Sequence, residues 1–422
     1  MNNRELDVVV FGATGITGRQ VAAYLAERAG ESSIRWAPAA RDIGKLRRLL
    51  DDAGVDAPEP IRADLNEPSS LSAMALRARV VLNLVGPYML YGRPVIDACV
   101  SSGTHYADLT GEMPFVRSII EEFDRPAREA GVKVVQVCGF ESLPPDLSVL
   151  LAGETANERW GQGLASVDVE VAVKPPPGLP RASDAVSGGT LQSLVAVAGA
   201  EDADQIADPA VLIGDLAVAA AVRRVSAITL APRSGRGGAV IAPMSPAAFI
   251  NPAVIHRTEE LAAVAAGRPA VPFRYREGVV LGGRPASLPL RWGVAGVLSA
   301  TQAGLRWIAR SGPSVRQPFA RTLARIVPAS GFGPSGDRLQ GWTWSLSAQA
   351  RTVEEQQIEV RVDADGHPGY LATARMLGEA GMLLAEDRAT PERAGCLTPA
   401  IALGTSSRER FKRAGLRFSV QA

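Results

Sequence analysis

Residues 7–18, Asp-Val-Val-Val-Phe-Gly-Ala-Thr-Gly-Ile-Thr-Gly, admit few folds. Val8, Val9, Val10 and Phe11 form an apolar, mostly β-branched run that suits a strand buried on both faces of a parallel sheet. Gly12, Gly15 and Gly18 follow at three-residue spacing, and residues 19–29 are rich in helix formers with Val21, Leu25 and Ala29 on one face. A strand that runs through a glycine turn into a helix presents backbone N–H groups at a helix N-terminus, where the macrodipole favours negative charge. In an open α/β sheet this is where a dinucleotide pyrophosphate sits. The spacing is G-x-x-G-x-x-G rather than G-x-G-x-x-G, and the flanking strand and helix supply the context that the motif needs. The nucleotide contacts expected here are Gly12, Thr14, Gly15, Ile16, Thr17 and Gly18.

The next segments read as a continuation of a Rossmann-type parallel sheet. Residues 34–40 form a second strand, with Pro38 predicting an early end or an edge irregularity. At its end stands Ala40-Arg41-Asp42; an arginine there pairs with the 2′-phosphate of NADP, and Arg41 backed by Lys45 favours NADPH over NADH. After a helix at 43–50, residues 61–64 form a short strand, and Asp64 is placed either near the adenine or as a helix N-cap. Residues 80–85 are a fourth strand ended by Gly86-Pro87-Tyr88 on the carboxyl edge, so that Asn83, Val85, Gly86 and Pro87 pass the nicotinamide ribose. A helix is expected at 93–102, a strand at 104–108, a helix at 114–130 bent at Pro126, and a sixth strand at 132–137. The rigid loop Cys138-Gly139-Phe140-Glu141-Ser142-Leu143-Pro144-Pro145 then holds Phe140 and Glu141 beside the nicotinamide.

Several chemistries lack their residues. No tyrosine has a lysine four positions later, so a Tyr-x-x-x-Lys proton donor is unsupported. His105, His256 and His367 are isolated, and the three cysteines have no metal spacing, so no metal site is expected. The Gly-x-Ser-x-Gly elbow of α/β-hydrolases is absent. With 45 Lys and Arg against 44 Asp and Glu, nothing points to a nucleic-acid partner. What remains is hydride transfer, in which a cofactor carries the chemistry and the protein orients it and supplies one proton. Tyr88, Tyr91 and Glu141 are the candidate donors.

Beyond residue 160 the alternation of short strands and helices stops. Residues 167–173, 342–350 and 357–363 alternate in period two, the last two as a hairpin around 352–355, which predicts a mostly antiparallel sheet. Helices are expected at 188–197, 201–220 and 370–386, and a loop-rich, pocket-lining stretch at 231–252. The longest apolar segment, 281–308, is too interrupted to span a bilayer; a buried helix, an acyl-tunnel wall and an interfacial helix with Trp292 and Trp307 near its ends remain. The length of 422 residues predicts two cores. The division expected is an NADP-binding Rossmann domain at 1–155, an α+β substrate domain at 156–370, and a C-terminal segment at 371–422. Arg4, Glu5 and Asp7 stand where an export signal would be apolar, so a cytoplasmic location is expected.

The segments Gly-Ala-Thr-Gly-Ile-Thr-Gly, Ala-Ala-Arg-Asp, Asn-Leu-Val-Gly-Pro-Tyr with Tyr91-Gly92, Tyr-Ala-Asp-Leu-Thr-Gly-Glu and Cys-Gly-Phe-Glu-Ser-Leu-Pro-Pro-Asp-Leu together resemble the saccharopine dehydrogenase-like oxidoreductases. Within them the chain looks most like the trans-acting enoyl reductases that serve lipid-making polyketide synthases. Ser187-Gly188-Gly189-Thr190, Gly331-Phe332-Gly333-Pro334-Ser335 and Leu397-Thr398-Pro399-Ala400 extend the likeness over nearly the whole chain. Glu141 stands where the resemblance leads one to expect Asp. The resemblance implies NADPH-dependent reduction of an enoyl group on a hydrophobic, carrier- or synthase-bound acyl chain, and a final segment packed back on the first domain. Reduction of an imine or ketone, or NADP sensing without turnover, uses the same turn. Peripheral membrane contact and homodimerisation are compatible with the chain.

Overall fold

The computed structural model describes residues 4–178, 188–200, 202–244, 246–282, 287–327, 336–386 and 388–422. Strands β1 (Leu6–Phe11), β2 (Trp36–Ala40), β3 (Ile61–Arg62), β4 (Ala78–Asn83), β5 (His105–Asp108) and β6 (Lys133–Val135) alternate with helices α1 (Ile16–Glu31), α2 (Ile43–Asp52), α3 (Pro68–Arg77), α4 (Tyr88–Ser101) and α5 (Met113–Glu129). The strands lie parallel in the spatial order β6-β5-β4-β1-β2-β3, the doubly wound Rossmann arrangement with its switch point between β1 and β4. β1 is buried on both faces, as its unbroken apolar run requires. Val8 and Val10 join one hydrophobic layer with α1 and α2, and Val9 and Phe11 the opposite layer with α3, α4 and α5.

The chain then enters α6 (Leu143–Trp160) and a second sheet. Its strands β7 (Leu164–Lys174), β8 (Arg233–Ser234), β9 (Val240–Ala242), β10 (Arg274–Leu281), β11 (Thr343–Thr352), β12 (Gln357–Asp365) and β14 (Leu416–Gln421) lie in the order β14-β12-β11-β7-β10-β9-β8. All neighbours are antiparallel except β7 and β10. Along β7, Val167, Val169 and Val171 are buried and Ser166, Asp168 and Glu170 are half-exposed, so the alternation read in the sequence is a one-sided sheet covered by α6. The remaining helices of ten or more residues, among the described residues, are α7 (Gly188–Gly199), α8 (Leu216–Val225), α9 (Ala247–Ala265), α10 (Leu288–Arg310), α11 (Pro313–Ile326) and α12 (Thr373–Ala385).

The end of the chain serves both sheets. β13 (Gly395–Leu397) adds in parallel beside β6, and β14 adds beside β12. α12 covers the first sheet: Gly378 and Gly381 let it approach Tyr24 and Leu82, and buried Glu379 accepts from Tyr24 Oη at 2.6 Å, Arg28 Nε at 2.9 Å and Arg410 Nε at 2.9 Å. Such a fully buried carboxylate is tolerated because two guanidiniums and a phenol replace its water.

Some elements differ from the sequence expectation. β2 runs through Pro38, because pairing with β3 begins only at Ala39 and leaves that side of Pro38 without a ladder bond to lose. α4 begins at Tyr88 rather than at residue 93, and α5 continues through Pro126 to Glu129, where the proline removes one bond in the last turn. Residues 201–220 are not one helix: a 3₁₀ turn spans Ala203–Ala207, and α8 begins only after Asp215, whose carboxylate accepts from Ala217 N and Val218 N. Within 231–252, β8, β9 and the start of α9 replace the expected loop. The motif residues 331–335 and Ser187 lie outside the described residues.

Candidate active site

The β1–α1 turn is shaped by close approach. Gly12 has φ +91°, and a Cβ on it would stand 2.9 Å from Leu84 C and from Val85 Cγ2. A Cβ on Gly18 would stand 2.3 Å from the Gly12 carbonyl oxygen. The turn is therefore pressed both against its own helix and against the exit of β4. Gly15 is the N-cap of α1 and no side chain caps this end, which leaves the first N–H groups of the helix, Ile16, Thr17 and Gly18, for an anion. A second helix end resolves the Arg41-Asp42 pair. Asp42 Oδ1 accepts from Lys45 N at 2.8 Å and caps α2, so the acid is engaged by its own backbone. Arg41 and Lys45 are exposed, and among the described residues neither is in an ion pair. Asp64 closes a turn, accepting from Asn66 N at 3.0 Å; the N-cap of α3 is Glu67.

Behind the turn the carboxyl edge holds a buried polar chain. Asn83 Nδ2 donates to Tyr106 Oη at 3.0 Å, and Asn83 Oδ1 accepts from Val85 N at 3.0 Å. Tyr106 Oη donates to Asp108 Oδ2 at 2.8 Å, while Asp108 Oδ1 accepts from Thr110 N at 3.0 Å and Val137 N at 3.3 Å. Val137 has φ +58°, a left-handed conformation costly for a β-branched residue, and the Asp108 bond helps to hold it. Tyr88 Oη donates to the Asn83 carbonyl at 3.2 Å and accepts from Leu109 N at 3.4 Å. Tyr88 thus braces the β4 exit with its hydroxyl turned inward, whereas Tyr91, one turn on, is 40 % exposed. The Gly86-Pro87 peptide is cis. The N-terminus of α4 is capped by Glu112, which accepts from Tyr88 N at 2.9 Å, Met89 N at 2.7 Å and Ser193 Oγ of α7 at 2.6 Å.

Burial weakens the acids along this edge, all in one direction. It pushes Asp108 up to about 7 and lifts Glu112 and Glu141 above the usual carboxylate range, and it holds the Tyr88 and Tyr106 phenols protonated. Asp108, Glu112 and Tyr106 were legible only as parts of a motif; the usable signal was a pair of acids four residues apart at a strand exit.

The 139–142 loop faces the second sheet. Phe140 meets Trp344 edge-on with ring centroids 4.8 Å apart, and its N–H donates to Thr373 Oγ1 at 3.1 Å. Phe140 is therefore anchored into the core that joins the two sheets. Beside it Glu141 is half-buried. Asn251 of α9 donates to the Glu141 carbonyl at 2.6 Å and to Glu277 Oε2 at 2.8 Å, and Tyr275 Oη donates to the same oxygen at 2.5 Å.

Burial pushes Glu277 up to about 7. A carboxyl raised in the folded state contributes stability that is complete below its unfolded value and lost as pH rises through its folded one. Glu277→Gln keeps a neutral acceptor and donor in that place. The variant is expected to gain roughly 3 kcal/mol on the parent between about pH 4 and pH 7, read as the difference between their urea midpoints. A difference that stays flat across that window would refute the protonated state.

A cavity of ≈ 1120 Å³ lies on the solvent face of the second sheet, lined by Ser166, Asp168, Arg274, Arg276, Gln349 and Arg351 among others. It opens on the face turned away from α6 and takes no part in the nucleotide cradle.

Residues 8–135 match the family model described as the saccharopine dehydrogenase NADP binding domain. A Mycobacterium tuberculosis protein provisionally named a trans-acting enoyl reductase is 34% identical over 432 residues, covering 98% of this chain and 97% of its own. Trans-acting enoyl reductases of Mycobacterium bovis and Mycobacterium ulcerans are each 31% identical with the same coverage. Among solved structures, saccharopine dehydrogenase (L-Glu forming) of Saccharomyces cerevisiae superposes with a TM-score of 0.52 at 14% identity, over 99% of this chain and 100% of that one, which shows a shared fold.

Proposed function

Since this chain belongs to the family of the trans-acting enoyl reductases, built on a saccharopine dehydrogenase-type NADP-binding domain, we propose that it uses NADPH to reduce the enoyl double bond of a hydrophobic acyl or polyketide thioester. The observation that carries the cofactor half is the engagement of Asp42 by the α2 N-terminus, which leaves Arg41 and Lys45 beside the glycine turn as the charges for a 2′-phosphate. The residues fit the group: Gly12 and Gly18 leave no room for a side chain, and the first N–H groups of α1 are uncapped. Bound there, NADPH supplies the hydride that reaches the β-carbon of the enoyl thioester.

The chain's own residues do the rest. The α1 N-terminus and Arg41 hold phosphates. The Asn83-Tyr106-Asp108 chain fixes the β4 exit along which the nicotinamide ribose would lie. The α-carbon needs one proton, and two groups are able to give it: Glu141, whose carboxyl is shifted by desolvation toward its protonated form, and Tyr91, whose phenol lies at the exposed start of α4. Tyr88 is the weaker choice of the three, because its hydroxyl already donates to Asn83.

The test is NADPH oxidation followed at the nicotinamide absorbance with enoyl, keto and imino substrates in parallel. Loss of NADPH with enoyl thioesters alone is the expected outcome; turnover only with ketones or imines, or binding without turnover, would replace the proposal. Arg41→Ala is expected to weaken NADPH by about 10–100-fold, the scale of a lost charge-assisted phosphate contact, and to leave NADH nearly unchanged. Equal losses for both would remove the phosphate clamp.

A further inference from the structure

The apolar segment first read as a buried helix, a tunnel wall or an interfacial helix is α10, and it lies on the surface. Of its 23 residues, the buried ones are Ala295, Gln302 and Ala309, at seven-residue spacing on one narrow arc. Ala295 packs on Val240 and Ala242 of β9, and Gln302 Nε2 donates to the Pro243 carbonyl at 2.8 Å. The opposite arc carries Leu290, Val294 and Val297 at i, i+4 and i+7, which are 58%, 43% and 67% exposed. Trp292 and Trp307 stand near the two ends, the latter 65% exposed. A surface stripe of this kind, with no charge between Arg291 and Arg306, is what a solvent-facing helix avoids.

A second observation comes from charge. The 59 residues 278–336 contain seven arginines, Arg284, Arg291, Arg306, Arg310, Arg316, Arg321 and Arg325, with no lysine, aspartate or glutamate. The chain as a whole is almost neutral at +1, so this span of uniform positive charge stands against a remainder of 38 Lys and Arg and 44 Asp and Glu that is net acidic. Arg310, Arg321 and Arg325 are exposed, as are Val315 and Ile326 of α11.

We propose that the α10–α11 hairpin docks in the plane of an anionic lipid bilayer, with its apolar stripe at the acyl boundary and the exposed Arg310, Arg321 and Arg325 among the headgroups. A protein partner meets a mixed-sign polar rim, whereas a span with no carboxylate at all complements a surface of uniform negative charge. Tryptophans near both helix ends suit the interfacial layer, and the charge-free stretch is too short to cross. α11 packs against α7, whose Ser193 touches Glu112, so one helix separates the docked hairpin from the α4 N-terminus that Glu112 caps. The docking stands apart from the reaction proposed above and is read without turnover.

The experiment is co-sedimentation of the full chain with phosphatidylcholine vesicles, with and without phosphatidylglycerol. Binding that requires phosphatidylglycerol and weakens at high salt is expected. Arg310→Gln/Arg321→Gln/Arg325→Gln should lower the apparent affinity about 100-fold, and Leu290→Ser/Val297→Ser at least about tenfold, with circular dichroism unchanged because all five side chains are exposed. If a variant fails to fold, quenching of the wild-type tryptophan fluorescence by shallow-brominated lipid decides instead. Absence of wild-type binding or quenching, vesicle binding indifferent to both sets, or substitutions that act only on self-association or on capture of an acidic carrier protein would overturn the proposal.

Discussion

Gly18→Ala is expected to weaken NADPH binding at least about 100-fold, the equivalent of losing the oriented N–H contacts of a helix N-terminus to a phosphate. The added methyl would stand 2.3 Å from the Gly12 carbonyl oxygen and 2.9 Å from Ala13 Cα. Both atoms belong to the backbone, so no rotamer change relieves the clash, and the turn or the helix start must move by about an ångström to restore van der Waals distance. Gly12 cannot yield, because it is held between its bond to Ala39 O at 3.0 Å and the wall formed by Leu84 and Val85. The displacement therefore falls on Ile16, Thr17 and Gly18, whose N–H groups would face the phosphate of the proposed cofactor. Gly15→Ala is the internal control, since its methyl would meet the Gly12 oxygen at 3.4 Å and needs only a small adjustment. Fluorescence titration with NADPH separates the two. An undiminished affinity in Gly18→Ala would mean that the cofactor does not use this turn.

Asp108→Ala should be the more damaging change to the fold, costing about 3–5 kcal/mol in urea unfolding. One carboxylate satisfies the Tyr106 hydroxyl and the Thr110 and Val137 N–H groups, all in a site without water access. Alanine leaves three buried donors unpaired and removes a restraint on Val137 at positive φ. Asp108→Asn keeps an oxygen for the two backbone donors and should recover more than half of the loss. If alanine and asparagine prove equally destabilised, the cost lies in cavity formation and not in the donors.

The first sheet was legible because its signals are local: an apolar β-branched run, a glycine turn and a helix appear consecutively in 7–31. The polar chain from Asn83 to Asp108 was not, because its partners are set by which strands become neighbours, and β4 lies beside β5 only in the folded sheet. Tyr88 shows the same limit. Its place just past a strand suggested a donor to substrate, but the direction of its hydroxyl depends on a carbonyl five residues earlier and an N–H twenty-one later. Arg41 was singled out by its position alone, and what the structure adds is that adjacent Asp42 caps α2. For α10 hydropathy counted apolar residues correctly and could not say whether a neighbour covers them; the structure supplies a neighbour for one narrow arc.

The late addition of β13 and β14, each the outermost strand of its sheet, orders the birth of this protein in time. On a ribosome, β6 emerges some 260 residues before β13, its second neighbour, and β12 some 50 residues before β14. Loop closure of that length is entropically dear and slow, and open strand edges invite pairing with other chains. The nascent polypeptide therefore carries an unpaired β6 edge through some 260 residues of synthesis and an unpaired β12 edge through about 50, and both find their partners within the span 395–421.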